Sequence, residues 1–128
     1  MPKLAWVVVG LALIQSSWFV FDGVRALSVG DYVTPSSGPY AGELGPWSNL
    51  VSAVGIEPRS TLMKSIHVGV GVLGLVAIVA FVRGVCCARR GMIACAVLGL
   101  WYLPFGTVLG IVQILILRTG VVRAVRVS

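Results

Sequence analysis

The chain has 128 residues, 58% of them apolar and only 11% charged, where soluble domains carry roughly a quarter charged residues. A soluble fold of this size cannot hide so much apolar surface, so a mean hydropathy of +1.00 excludes an ordinary soluble globule and points to an integral membrane protein. The net charge of +6 does not imply nucleic acid, because the cations flank apolar runs rather than alternate with aromatics; there they set orientation and meet lipid headgroups.

The first apolar segment, 4–21, runs from Lys3 to Asp22. It has the outline of a secretory signal, a cation before an apolar core. Gln15, Ser16 and Ser17 interrupt that core before Trp18 to Phe21, and no small-x-small cleavage site follows, so we read it as a helix that stays.

Residues 23–61 form the one substantial hydrophilic stretch. Its first part is dense in Pro, Gly and Ser, so turns are expected there. Pro46 suits a first helical position, and Trp47, Leu50, Val51 and Val54 recur at helical spacing, with Gly55 and Pro58 ending the run. This predicts a short interfacial helix on the outer membrane surface, anchored by Trp47, that caps the bundle.

The second segment, 62–82, follows Ser60 and Thr61, whose hydroxyls can cap free first-turn N–H groups, and closes at Arg83. Its Lys64-Ser-Ile-His67 stretch carries the single histidine.

The remaining apolar residues can form one long span or two short ones. A single span would leave four basic residues inside and six outside, against the positive-inside bias. A break at Leu103-Pro104-Phe105-Gly106-Thr107 puts Lys3, Arg83, Arg89, Arg90, Arg118, Arg123 and Arg126 inside. Arg25, Arg59 and Lys64 then lie outside with Asp22, Asp31, Glu43 and Glu57. Proline removes a helical donor and drives the preceding residue towards extended backbone, and Gly106 frees a tight reversal. The expected fold is therefore an all-α, polytopic four-helix membrane bundle in one domain, with spans 4–21, 62–82, 85–103 and 105–122. The last two form a short hairpin, and both termini are cytoplasmic. Arg89, Arg90, Arg118, Arg123 and Arg126 are expected at lipid headgroups, the first two by snorkelling.

Helices associate in lipid through close approach at small residues, and Gly69, Gly91, Cys95, Gly99, Gly106 and Gly110 are placed for that. Cys86 and Cys87 do not form a C-x-x-C motif, and on a reducing side no structural disulfide is expected. Gln15, Ser16, Ser17 and His67 are candidates for a polar seam between the first two helices, held by exchanged hydrogen bonds. His67 is also the one side chain suited to haem or quinone binding, although no second ligand or partner acid lies at suitable spacing. Phosphate-loop, zinc-protease and serine-elbow motifs are absent, so neither an enzyme nor a resident cofactor is expected.

Trp101-Tyr-Leu-Pro-Phe-Gly-Thr-Val-Leu-Gly-Ile resembles the P-x-G-T-x-L-G-I signature that opens the last helix of small uncharacterised bacterial four-helix membrane proteins. The stretches Asp31-Tyr-Val-Thr-Pro-Ser-Ser-Gly-Pro-Tyr and Pro58-Arg-Ser-Thr-Leu-Met-Lys-Ser look similar to the same families. The resemblance implies four helices in a bacterial inner membrane and no particular activity. The expected role is a non-catalytic accessory or structural subunit, packed against a larger membrane complex or against itself. A small oligomeric transporter or channel built on the polar seam, and haem or quinone binding through His67, are the alternatives.

Overall fold

In the computed structural model, residues 3–32, 44, 46–102 and 105–119 are described. Buried positions on the first apolar run are Ala5, Val8, Val9, Ala12, Gln15, Ser16, Phe19, Asp22, Gly23 and Ala26. That is the three-and-four spacing of one face of a helix. The helix, α1, spans Lys3–Val29, seven residues beyond Asp22 where the sequence suggested an end near 21. The end moves because Asp22 and Gly23 lie on the inward face, so the polar residues are absorbed by the bundle rather than breaking the helix.

The short helix α2 covers Trp47–Ala53, and Gly55, at φ +89°, supplies the left-handed turn that follows it. Helix α3 covers Thr61–Val82; the Ser60 hydroxyl accepts the Met63 N–H at 3.2 Å, which caps its first turn. Its inward stripe is Met63, His67, Gly71, Gly74, Ile78 and Phe81. A tight turn with Gly84 (φ 75°) and Cys87 (φ 68°) leads into α4, Ala88–Leu98, and α5 follows at Phe105–Leu117. Both are shorter than the 85–103 and 105–122 expected from the apolar run. Residues 103–104 and 120–128, including Pro104, Arg123 and Arg126, lie outside the described residues. Among the described residues the chain holds five helices and no strand.

The hairpin reversal expected near Gly106 is present. A Cβ on Gly106 would collide with the Gly99 carbonyl, one on Gly110 would lie 2.9 Å from the Ala96 carbonyl, and Arg89 donates to the Leu117 carbonyl at 3.1 Å. These pairings run antiparallel, so α4 and α5 fold back on each other. Adjacent elements in the ring α1–α3–α4–α5 are all in contact, and α5 returns to α1. This is an up-down-up-down four-helix arrangement.

The interior is layered. At one end Ala5, Val8, Ile78, Phe81, Ala88, Met92 and Leu117 form an apolar cluster. At the other, Phe19, Ala26, Tyr32, Trp47, Val51, Met63 and Tyr102 form an aromatic one. Between them lie Gln15, Ser16, Gly74, Cys95, Ala96 and Gln113. Five of the eight described basic residues, Lys3, Arg83, Arg89, Arg90 and Arg118, sit at the apolar-cluster end; Arg25, Arg59 and Lys64 sit at the other with the described acids Asp22, Asp31 and Glu57.

Two helices, α1 and α3, are long and apolar enough to cross a membrane; α5 is apolar but shorter. The outward surface is strongly apolar throughout, as at Leu13, Ile14, Leu73, Val76, Val97, Val108 and Leu115.

Close approach happens at three of the six small residues picked from sequence and at further glycines besides. A Cβ at Gly71 would lie 2.7 Å from the Ser16 carbonyl and 2.8 Å from the Val20 nitrogen, and one at Gly23 would lie 2.9 Å from the Val68 nitrogen. Gly99, Gly106 and Gly110 are likewise tight, whereas Gly69 and Gly91 meet nothing within 4 Å. The reason is register: Gly69 points outward, half a turn from Gly71. Replacing Gly71 with Leu is expected to lower the unfolding midpoint in detergent sharply, by about 3 kcal/mol or more in stability, because the contacting atoms are backbone. Gly69→Ala should leave that midpoint unchanged or slightly raised.

Candidate functional site

The bundle holds two internal polar features that Phe19 separates. The lower one lies at mid-height. Gln113 of α5 donates its amide N–H to the Gln15 side-chain oxygen of α1 at 2.6 Å, and both residues are buried. Gly99 has no side chain because the Gln15 amide nitrogen fills that space, and Gly74 yields in the same way to the Ser16 hydroxyl. The remaining cavity is about 10 Å³, bounded by these groups with Phe19, Met92 and Cys95. That is barely the room one water needs. The expected seam of Gln15, Ser16, Ser17 and His67 is therefore divided: Gln15 and Ser16 face inward, Ser17 is exposed, and His67 belongs to the upper feature.

That upper feature is an aromatic box around His67, which is fully buried. Ring centroids of Tyr32, Trp47, Trp101, Phe19 and Tyr102 lie 4.7, 4.9, 5.3, 5.6 and 5.7 Å from the imidazole. Such separations are those of directly packed rings. The walls come from α1, the segment after it, α2 and the hairpin tip. Trp47, expected as a lipid anchor, is instead buried, stacked on Tyr102 at 5.6 Å and 19°. The apolar side of α2 finds aromatic partners in the bundle mouth, which hold the helix as a cap over it.

Polar ends of the box residues are mostly used within the chain. Trp18 donates its indole N–H to the Tyr102 oxygen at 2.9 Å, and the Tyr32 hydroxyl donates to the Pro58 carbonyl at 2.8 Å. His67 Nδ1 lies 3.0 Å from the Met63 carbonyl, one turn back on its own helix. A carbonyl only accepts, so Nδ1 carries the proton and Nε2 presents a lone pair. Nε2 is buried and has no hydrogen-bond partner among the described residues. Asp22 is buried at the same end of the bundle, close enough to Tyr32 and Tyr102 for its charge to act on both hydroxyls.

Outside the box three cations converge on the turn after α1. Arg25 donates to the Asp31 carbonyl at 2.9 Å, Lys64 to the Gly30 carbonyl at 2.8 Å, and Arg59 to the Asp31 carboxylate at 3.0 Å. The two carbonyls lie just beyond the C-terminal end of α1, where the helix dipole favours cations. Burial raises the Asp31 carboxyl, but the Arg59 hydrogen bond, the Tyr32 N–H and the charges of Arg59 and Lys64 outweigh it and hold the group below its ordinary value. Burial, helped by the charges of Asp22 and Asp31, pushes the Tyr32 hydroxyl well above its usual value, so it stays a donor.

The remaining sequence candidates fall elsewhere. Cys95 is half-buried beside the mid-height cavity, while Cys86 and Cys87 are exposed, their sulfurs 3.5 Å apart. Arg89 is half-buried and spans to α5, and Arg90 and Arg118 are exposed. Among the described residues no group of three or more His, Cys, Asp or Glu side chains could hold a metal ion. Gln113 was missed in sequence although it is the lone amide inside an apolar run, a signal that Gln15 shares. The box could not be found that way, because its walls come from four separated segments.

Fold and site together define a small four-helix bundle with a mid-height amide layer and a capped aromatic box. No protein-family model, curated protein or solved structure matches the chain.

Gln113→Leu leaves the buried Gln15 oxygen without its donor and is expected to cost about 1–3 kcal/mol. The double replacement Gln15→Leu with Gln113→Leu removes both amides and should recover part of that loss, read by reversible unfolding in detergent. For Asp31, the folded pKa lies below the unfolded one, so its contribution is present above about pH 4 and is lost as pH falls through the folded value. Because the pair is exposed the effect is about 1 kcal/mol or less, and thermal unfolding followed between pH 5 and 2 should lose that part of its pH dependence in Asp31→Asn.

Proposed function

We propose that this chain is a non-catalytic integral protein of a bacterial inner membrane, crossing it four times with the Lys3 and Arg118 end in the cytoplasm. It acts as an accessory or structural subunit, packed against a larger membrane complex or further copies of itself. The observation that carries this reading is the division of each helix into a narrow inward stripe and a broad apolar outward face. An apolar belt of that kind is stable only against lipid or another apolar protein surface.

The charge distribution supports the orientation, with Lys3, Arg83, Arg89, Arg90 and Arg118 at one end and the described acids at the other. Lys64 on α3 and Arg83 at its C-cap are nineteen residues apart in sequence, about 28 Å of helix rise, close to one hydrocarbon thickness. The hairpin α4–α5 is shorter, and α2 with its buried Trp47 fills the remaining height above the hairpin tip. The interior supports a structural role over transport. Gln15, Gln113 and Ser16 are packed against one another and against glycines, and the space they leave is about 10 Å³. A solute path through one protomer has no room there.

The test is the mass of the intact assembly, isolated from its own membrane in mild detergent with its companions identified. Companion chains or a defined homo-oligomer are expected. A lone monomer, with no neighbour crosslinked in the membrane, would overturn the reading. A liposome flux altered by Gln15→Leu would favour transport instead.

A further inference from the structure

Two features at the capped end of the bundle are not used by a purely structural role. The first is the lone pair of His67 Nε2, buried without a partner among the described residues. Leaving a buried polar atom unpaired forfeits its hydration with nothing in return, which a fold avoids unless the atom is used. The second is an apolar groove of about 350 Å³ between α2, α3 and the hairpin tip, lined by Leu50, Val51, Val54, Met63, Ile66 and Trp101. Its volume is within the range of small-molecule sites, about 300–1,000 Å³.

The two features share walls. Trp101 lines the groove, and its ring lies 5.3 Å from the imidazole, nearly perpendicular at 83°. Met63 also lines the groove, and its carbonyl takes the His67 Nδ1 proton. One indole is therefore shared between an apolar groove and the box that holds a buried hydrogen-bond acceptor. Trp101 is half-buried and lies on the hairpin tip outside α4 and α5, so turning it outward exchanges its ring contacts with Phe19, Trp47 and Tyr102 for the ligand without displacing a helix.

We propose that the groove and His67 together bind a neutral lipid-like molecule with an apolar tail and a single hydroxyl. The tail lies in the groove, Trp101 turns aside, and the hydroxyl donates to Nε2. The head must be a donor, because the Nδ1 proton is committed to Met63 and Nε2 can only accept. It must be neutral, because every described residue lining the groove is apolar and a desolvated charge would find no counter-ion among them. The nearest cations, Lys64 and Arg59, are turned to Gly30 and Asp31. The groove opens beside exposed Leu62 and Val54, on the surface that the membrane reading places against lipid, and the proposal rests on that reading only for the ligand's route of entry.

The experiment uses two probes that differ in the hydroxyl alone, 4-dodecylphenol and dodecylbenzene, added to the full chain in detergent and followed by tryptophan fluorescence. Comparing wild type with His67→Phe for each probe cancels differences in micelle partitioning. Dodecylphenol is expected to bind wild type about tenfold tighter than His67→Phe, as one buried hydrogen bond allows, and dodecylbenzene equally to both. Ile66→Trp, which fills the groove, should weaken both probes. Equal binding of dodecylphenol to wild type and His67→Phe, or no binding of either probe, would overturn the proposal. Should His67→Phe fail to fold, the Nε2 ¹⁵N resonance of labelled wild type decides: a shift with dodecylphenol and none with dodecylbenzene supports it, and no difference refutes it. Assembly mass plays no part in this comparison, so the subunit reading and the ligand reading can fail separately.

Discussion

At Ser16 the backbones of α1 and α3 come so close that one added carbon on Gly71 would lie 2.7 Å from the Ser16 carbonyl oxygen. Most other contacts in the bundle depend on that approach. In a membrane, lipid tails compete with side chains on equal terms, so helices gain from association mainly through backbone proximity and interhelical hydrogen bonds. Gly23, Gly71 and Gly74 let α1 and α3 lie against each other along much of their length, with Gly74 accommodating the Ser16 hydroxyl. The α4–α5 hairpin repeats the device at Gly99, Gly106 and Gly110.

Once the two pairs are that close, the polar groups inside must satisfy one another. The Gln15–Gln113 bond joins the first pair to the second at mid-height, and the cavity beside it is nearly closed. A single buried amide pair also sets register, because sliding α5 by one residue would strand both side chains among apolar atoms. Specificity of assembly thus comes from one polar layer between two apolar clusters.

The short hairpin leaves the capped end incomplete, and α2 supplies what is missing. Trp47 enters the mouth and closes the box on His67 with Tyr32, Trp101 and Tyr102. The segment after α1 is tied down by Arg25, Arg59 and Lys64 on Gly30 and Asp31, and by the Tyr32 hydroxyl on Pro58. Those ties fix the loop ends that carry the box walls. The acceptor left inside that box makes this end of the molecule chemically distinct from the mid-height layer, where the buried amides satisfy each other.

The apolar runs, the Ser60 cap, the short helix before Gly55 and the reversal near Gly106 were all legible in the sequence, because local backbone chemistry and hydropathy decide them. The gathering of Lys3, Arg83, Arg89, Arg90 and Arg118 at one end of the bundle was legible too, since it needs only their order along the chain. What tertiary structure alone decided was which face of each helix turns inward. Gly69 and Gly71 are equally small in sequence, yet one meets nothing and the other meets backbone. Ser17 and Gln15 are equally polar, yet one is exposed and the other paired with Gln113. When a helix is apolar on every side, hydropathy does not mark its inner face, as it would in water. Only packing against the neighbouring helices makes that choice, and it gathered Phe19, Tyr32, Trp47, Trp101 and Tyr102 around His67.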